Sequence, residues 1–88
     1  MIDTTYLDTI ITMKEQQFID IAEAETEFVL INIIPVVDSE KWAIFGPYGV
    51  YVSTTGNRAF PNLASAHDQL KTWGIRKFFQ VGDLKVFS

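Results

Sequence analysis

Residues 61–81, PNLASAHDQLKTWGIRKFFQV, decide the fold. Leu63, Ala66, Leu70 and Trp73 recur at i, i+3, i+7 and i+10, which lays one apolar stripe along a helix. Pro61 ends the segment before it, and Asn62 is a good N-cap because its side-chain oxygen accepts a first-turn N–H. Gly74 stands where a left-handed residue closes a helix. Ile75 follows where it touches Leu70, as a Schellman exit requires. Arg76-Lys-Phe-Phe-Gln-Val81 then reads as a strand, Gly82-Asp83 as a turn, and Leu84-Lys-Val-Phe87 alternates as a closing strand.

Upstream of this unit the chain is rich in strands. Phe28-Val-Leu-Ile-Asn-Ile-Ile34 is an apolar, largely β-branched run. Its near-continuous apolarity suits a central strand covered on both faces, or a strand at a dimer seam. Pro35 restricts pairing at its own position. Asp38-Ser-Glu40 is a turn and Lys41-Trp-Ala-Ile-Phe45 a second strand. Gly46-Pro-Tyr-Gly49 is a tight connection or a bulge, and Val50-Tyr-Val-Ser53 a third strand. Thr54-Thr-Gly-Asn57 turns the chain, and Arg58-Ala-Phe60 returns briefly.

The first segment, about residues 4–25, carries Leu7, Ile10, Ile11, Phe18, Ile21 and Ala22 at near-helical spacing. Thr12-Met-Lys-Glu15 has the form of a capping box, which divides the segment into two short helices meeting near Thr12. Residues 18–24 alternate enough to suit a strand, but their Ala and Glu favour helix. The expectation is one α+β domain over residues 1–88 of order α-β-β-β-α-β(β). Three consecutive strands imply an antiparallel meander, with two helices packed on one face.

Composition narrows the function classes. The chain has 88 residues, 48% of them hydrophobic, and no Cys. That length is one domain. The absence of Cys rules out disulfides and thiolate metal sites, and favours a reducing compartment. No run approaches the roughly 20 apolar residues of a membrane span. The opening MIDTTYLDTI lacks the basic-then-apolar pattern of a signal peptide. The reading is a cytoplasmic protein with no membrane partner.

Catalysis has little to stand on. His67 is the single histidine, and its neighbour Asp68 points about 100° away on a helix, so the two form no dyad. His67 flanks the apolar stripe and reads as a packed boundary residue. One His and no Cys leave only carboxylates for a metal, without EF-hand spacing. The glycines match no nucleotide-binding pattern. No catalytic, cofactor or metal residue is expected, and the protein is read as a non-enzyme.

Charge points to two binding surfaces instead. Residues 1–40 hold nine acids and one base, while residues 41–88 hold six bases and two acids. These opposite halves can attract one another within the fold or between two copies. An acidic row of Asp8, Glu15, Asp20, Glu23 and Glu27 can also face a basic, nucleic-acid-binding protein, as DNA-mimicking inhibitors do. A basic and aromatic set, Tyr48, Tyr51, Arg58, Lys71, Arg76 and Lys77, can stack and neutralise nucleotides. The net charge of −4 disfavours that second use.

Between Trp42 and Phe79 the chain reads Gly49-Val-Tyr-Val, Gly56-Asn-Arg-Ala-Phe60, Leu63-Ala-Ser-Ala66, Leu70-Lys-Thr-Trp-Gly-Ile75 and Phe78. This resembles small ParC-type, partition-associated proteins of bacterial plasmids. In those, an arginine-bearing hairpin leads into a helix with a leucine, two alanines and a Leu-Gly-Ile exit. The resemblance implies an accessory protein of a mobile element and supplies no catalytic or ligand residue. The expected function is therefore a non-enzymatic protein-interaction module of a plasmid or phage, acting as a homodimer or on a protein partner. The alternatives are a small acidic inhibitor of a host nucleic-acid machine, of anti-CRISPR or anti-restriction type, and a weak nucleic-acid binder.

Overall fold

A computed structural model describes residues 1–24 and 31–87. The elements are α1 (Thr4–Leu7), β1 (Thr12–Met13), α2 (Glu15–Glu23), β2 (Asn32–Pro35), β3 (Trp42–Phe45), β4 (Val50–Tyr51), α3 (Leu63–Trp73), β5 (Lys77–Gln80) and β6 (Asp83–Val86). The strands form one sheet in the order β1-β4-β3-β2-β5-β6.

The mixture of helices and strands agrees with expectation, and β2, β3 and β4 form the expected antiparallel meander, but the whole sheet is mixed rather than purely antiparallel. β2–β3, β3–β4 and β5–β6 are antiparallel, whereas β1–β4 and β2–β5 are parallel. For β2–β5 the cause is α3, which carries the chain back over the sheet and delivers β5 alongside β2, as a crossover helix does. The capping box at Thr12 is also corrected. Thr12 and Met13 pair with Val50 and Tyr51 as a strand. The helix begins after Lys14, whose backbone N–H donates to Gln17 Oε1 at 2.8 Å. Of the expected strand 28–34, residues 28–30 lie outside the described residues.

The other local signals hold. Asn62 Oδ1 accepts from Ser65 N at 2.9 Å. Gly74 has φ +85°, with Gly74 N donating to Lys71 O and Ile75 N to Leu70 O, a Schellman exit. The final hairpin forms, but its turn is Val81-Gly82, one residue earlier than expected.

Strand alternation builds two cores. On the front face, Phe18 of α2 and Ala66, Leu70 and Trp73 of α3 pack on Ile33, Ile44, Tyr51 and Phe78. Of the expected first helix over residues 4–25, only α2 joins α3 on this face; α1 lies on the other face, where Leu7 packs. On the back face, Ala43 and Val50 pack with Ile2, Leu7 and Val36, backed by Ile34 and Phe45. The N-terminal segment is therefore a strap. Ile2 bonds to Pro35 and Val37, on the side of β2 that β5 leaves open. The strap then crosses the back of β3 and β4 through Leu7 and enters the sheet as β1 at the far edge.

Arg58 fastens the strap. Its Nη1 donates to Leu7 O and Ile10 O, both at 3.0 Å, tying together two carbonyls at and just beyond the end of α1, where Leu7 O also accepts from Ile10 N at 3.4 Å. Gly49 allows the close approach on which β1 depends, since a Cβ there would stand 2.0 Å from Ile11 O.

Candidate functional site

The strap covers one end of the back face, and among the described residues it does not reach the β5–β6 end. β5 and β6 form a two-residue hairpin in which both loop residues are left-handed, Val81 at φ +50° and Gly82 at +84°. Such a loop matches the twist of the flanking strands and favours Asn or Gly. A β-branched Val at its first position is strained. It is also 61% exposed, so burial does not hold it there.

The hairpin register fixes where each group points. Phe87 N donates to Arg76 O at 2.9 Å, and Gln80 pairs with Asp83 across the loop. Bonded and non-bonded pairs alternate in an antiparallel ladder. The amides and carbonyls of Asp83 and Lys85 therefore face β5, while those of Leu84 and Val86 face outward from the edge. Phe79 pairs with Leu84 and Lys77 with Val86. Because Phe78 points into the front core, this set points to the back. There Leu84 is 54% and Val86 57% exposed. All four residues of β6 are exposed, and β6 is the last strand of the sheet.

On the front, β6 is backed by aromatics. Phe87 lies 5.0 Å from Phe78 and 5.6 Å from His67, with Lys71 Nζ 4.9 Å above its ring. His67 Nε2 donates to Gln80 Oε1 at 3.0 Å, which ties α3 to β5. These contacts make the hairpin a supported platform.

The residues singled out from the sequence are scattered. Asp20 and Glu23 are exposed on α2, with Gln16 Nε2 donating to Asp20 Oδ1 at 2.9 Å. Glu15 borders the buried side of the same helix, near Tyr51. Asp8 caps the end of α1, on the strap across the other face. Glu27 lies outside the described residues. Four of these acids thus share no single row. In the basic set, Tyr48 is exposed in the β3–β4 turn. Tyr51 is a core residue stacked on Phe60 at 5.6 Å and edge-on to Trp73 at 4.9 Å. Burial, helped by the Glu15 carboxylate, pushes its phenol pKa up. Arg58 is spent on the strap and Lys71 on Phe87. Arg76 and Lys77 are exposed at the β5–β6 end.

Leu84, Val86, Lys85 and Asp83 were not singled out. The one available signal was the alternation of Leu84-Lys-Val-Phe87, which separates two apolar side chains on one face from a base on the other.

A cavity of about 250 Å³ opens beside Tyr51, between Ser53, Thr55, Asn57 and Gln69. Its hydroxyls already bond one another, Ser53 Oγ to Thr55 Oγ1 at 2.9 Å, and the loop amide of Asn57 donates to Ser53 Oγ. It holds no nucleophile–base pair. Among the described residues, no three His, Asp or Glu side chains are grouped to hold a metal. No helix there is long and apolar enough to cross a membrane.

Comparison with family models, with curated proteins and with solved structures gives no match.

Proposed function

We propose that the protein is a non-catalytic binding module whose working surface is the open end of its sheet, formed by the free edge of β6 and the back-face side chains Leu84 and Val86. One observation carries this reading. The last strand of the sheet offers backbone groups that no other described residue pairs, and two large exposed apolar side chains in the same four residues. Natural sheets usually blunt such an edge, because it recruits another chain. Main-chain hydrogen bonds from Leu84 and Val86 supply affinity in that mode, and the alternate side chains supply selection. The strained loop at Val81 supports it, since it displays an apolar tip where Asn would be easier to accommodate.

The resemblance to ParC-type partition-associated proteins suits a cytoplasmic accessory protein of a mobile element, and asks for no catalytic group. The acidic-inhibitor reading draws less support, because its carboxylates divide between α2 and the strap. Nucleic-acid binding loses Arg58 and Tyr51 to internal roles, and of the basic set Arg76 and Lys77 remain exposed without such a role among the described residues.

The test uses a photo-crosslinking amino acid in place of Val86, with the same group at exposed Glu40 as control, in cells that make the protein. Adducts with a protein at the Val86 position, and none at Glu40, are expected. Adducts only at Glu40, or none at either, count against this surface.

A further inference from the structure

We infer that the chain occupying the β6 edge is a second copy of this protein, paired antiparallel about a two-fold axis that sets Leu84 opposite its own counterpart. The inference rests on the reading that the open end of the sheet is the working surface, and it names the partner and the register.

A two-fold axis perpendicular to the sheet keeps back-face residues on the back and front-face residues on the front. Only registers centred on a residue therefore satisfy both faces. Outward-facing backbone groups narrow the choice, because Leu84 and Val86 carry them while Asp83 and Lys85 bond to β5. Charge selects among the rest. Centring on Lys85 sets two ammonium groups face to face, and centring on Asp83 does the same with two carboxylates. Centring on Val86 sets Lys85 against Phe87 and leaves Asp83 unmatched. Centring on Leu84 sets each Asp83 opposite the other copy's Lys85, on the front face, twice by symmetry. On the back, the two Leu84 side chains meet and Val86 passes the Gly82 loop. This register gives β6 paired backbone groups, opposite charges and an apolar contact together, and six strands become twelve.

The side chains involved are exposed, so substitutions there leave the fold in place. Light scattering from about 10 µM to about 1 mM is expected to give a monomer–dimer equilibrium. Asp83→Lys or Lys85→Asp alone replaces two attractions by two repulsions, and weakens the dimer about tenfold or more. The double variant Asp83→Lys/Lys85→Asp restores it. The chain has no Cys, so single cysteines report register directly. A mixture of Asp83→Cys and Lys85→Cys proteins is expected to crosslink to each other, since non-bonded antiparallel pairs place Cα atoms about 4.5 Å apart, within disulfide reach.

A monomer throughout the range, a double variant no better than the singles, or Lys85→Cys linking best to itself overturns the inference. The photo-crosslinker at Val86 separates this failure from that of the surface itself. An adduct with a different protein, from a chain that stays monomeric, removes the second copy and keeps the surface; no adduct of either kind removes both.

Discussion

Replacing Gly49 by Ala tests the way the two faces of the sheet are joined. The added Cβ would meet Ile11 O at 2.0 Å, Ile11 C at 2.6 Å and Thr12 N at 3.2 Å. All three are backbone atoms, so no side-chain rotation relieves the contact. Normal separation requires β1 to retreat by about 1 Å or more, which breaks the 2.9 Å bond from Val50 N to Ile11 O and loosens the 3.0 Å bond from Val52 N to Met13 O. Two such bonds contribute about 0.5–1.5 kcal/mol each. Met13, fully buried between β4 and α2, loses part of its packing, for about another 1 kcal/mol. The expected loss is about 2–4 kcal/mol, out of about 5–15 for a whole domain. Urea unfolding followed by tryptophan fluorescence measures it, and the midpoint falls by about 1–3 M for a slope typical of small proteins. Gly46→Ala is the comparison, since its Cβ would meet side chains rather than backbone, the Met13 thioether at 2.6 Å and the edge of the Phe18 ring at 3.0 Å. A Gly49→Ala protein within about 0.5 kcal/mol of the parent, or one less damaged than Gly46→Ala, refutes the claim that close backbone approach holds β1.

Three further outcomes are expected. Arg58→Met removes the guanidinium donor from the Leu7 and Ile10 carbonyls, leaving Leu7 O only its 3.4 Å bond from Ile10 N, so stability falls by about 1–3 kcal/mol and amide exchange rises in residues 2–13 ahead of the front core; uniform exchange across the chain contradicts a separate strap. Val81→Asn relieves a β-branched residue at positive φ, and denaturation is expected to show a gain of about 1 kcal/mol, with a loss showing that Val81 is held by packing. Tyr51 has a folded pKa raised by burial above its ordinary 10.0, so the unfolded chain ionises first. Its contribution is complete below pH 10 and is lost as pH rises through the folded value; Tyr51→Phe is expected to flatten that part of the stability profile, and an unchanged slope refutes it.

What the sequence revealed follows the range of each signal. The Asn62 cap, the stripe from Leu63 to Trp73 and the Gly74 exit are complete within a dozen residues, and all formed as read. The β5–β6 hairpin was legible for the same reason. β1 was not, because two residues with helical neighbours become a strand only through partners at Val50 and Tyr51. The parallel pairing of β2 with β5 is hidden for the same reason, since nothing near Asn32 announces Phe79. Residue type, which sequence displays, marks the charged candidates. Whether Arg58 is free or clamped, and which strand lies last, depends on strand order, which sequence does not display. That is why β6 passed as an ordinary closing strand.

The two parallel pairings also govern how fast this chain can find its structure. Thr12 must meet Val50, and Asn32 must meet Phe79, so each costs the closure of a long loop before any bond returns free energy. The hairpins β2–β3 and β5–β6 need no such search and form on the microsecond scale. During synthesis the first hairpin is complete long before β5 leaves the ribosome, and the flank of β2 waits bare until α3 carries β5 to it. A hairpin in waiting with an apolar flank is the moment at which this protein is most exposed to wrong neighbours, and the rate of the α3 crossover sets how long that moment lasts.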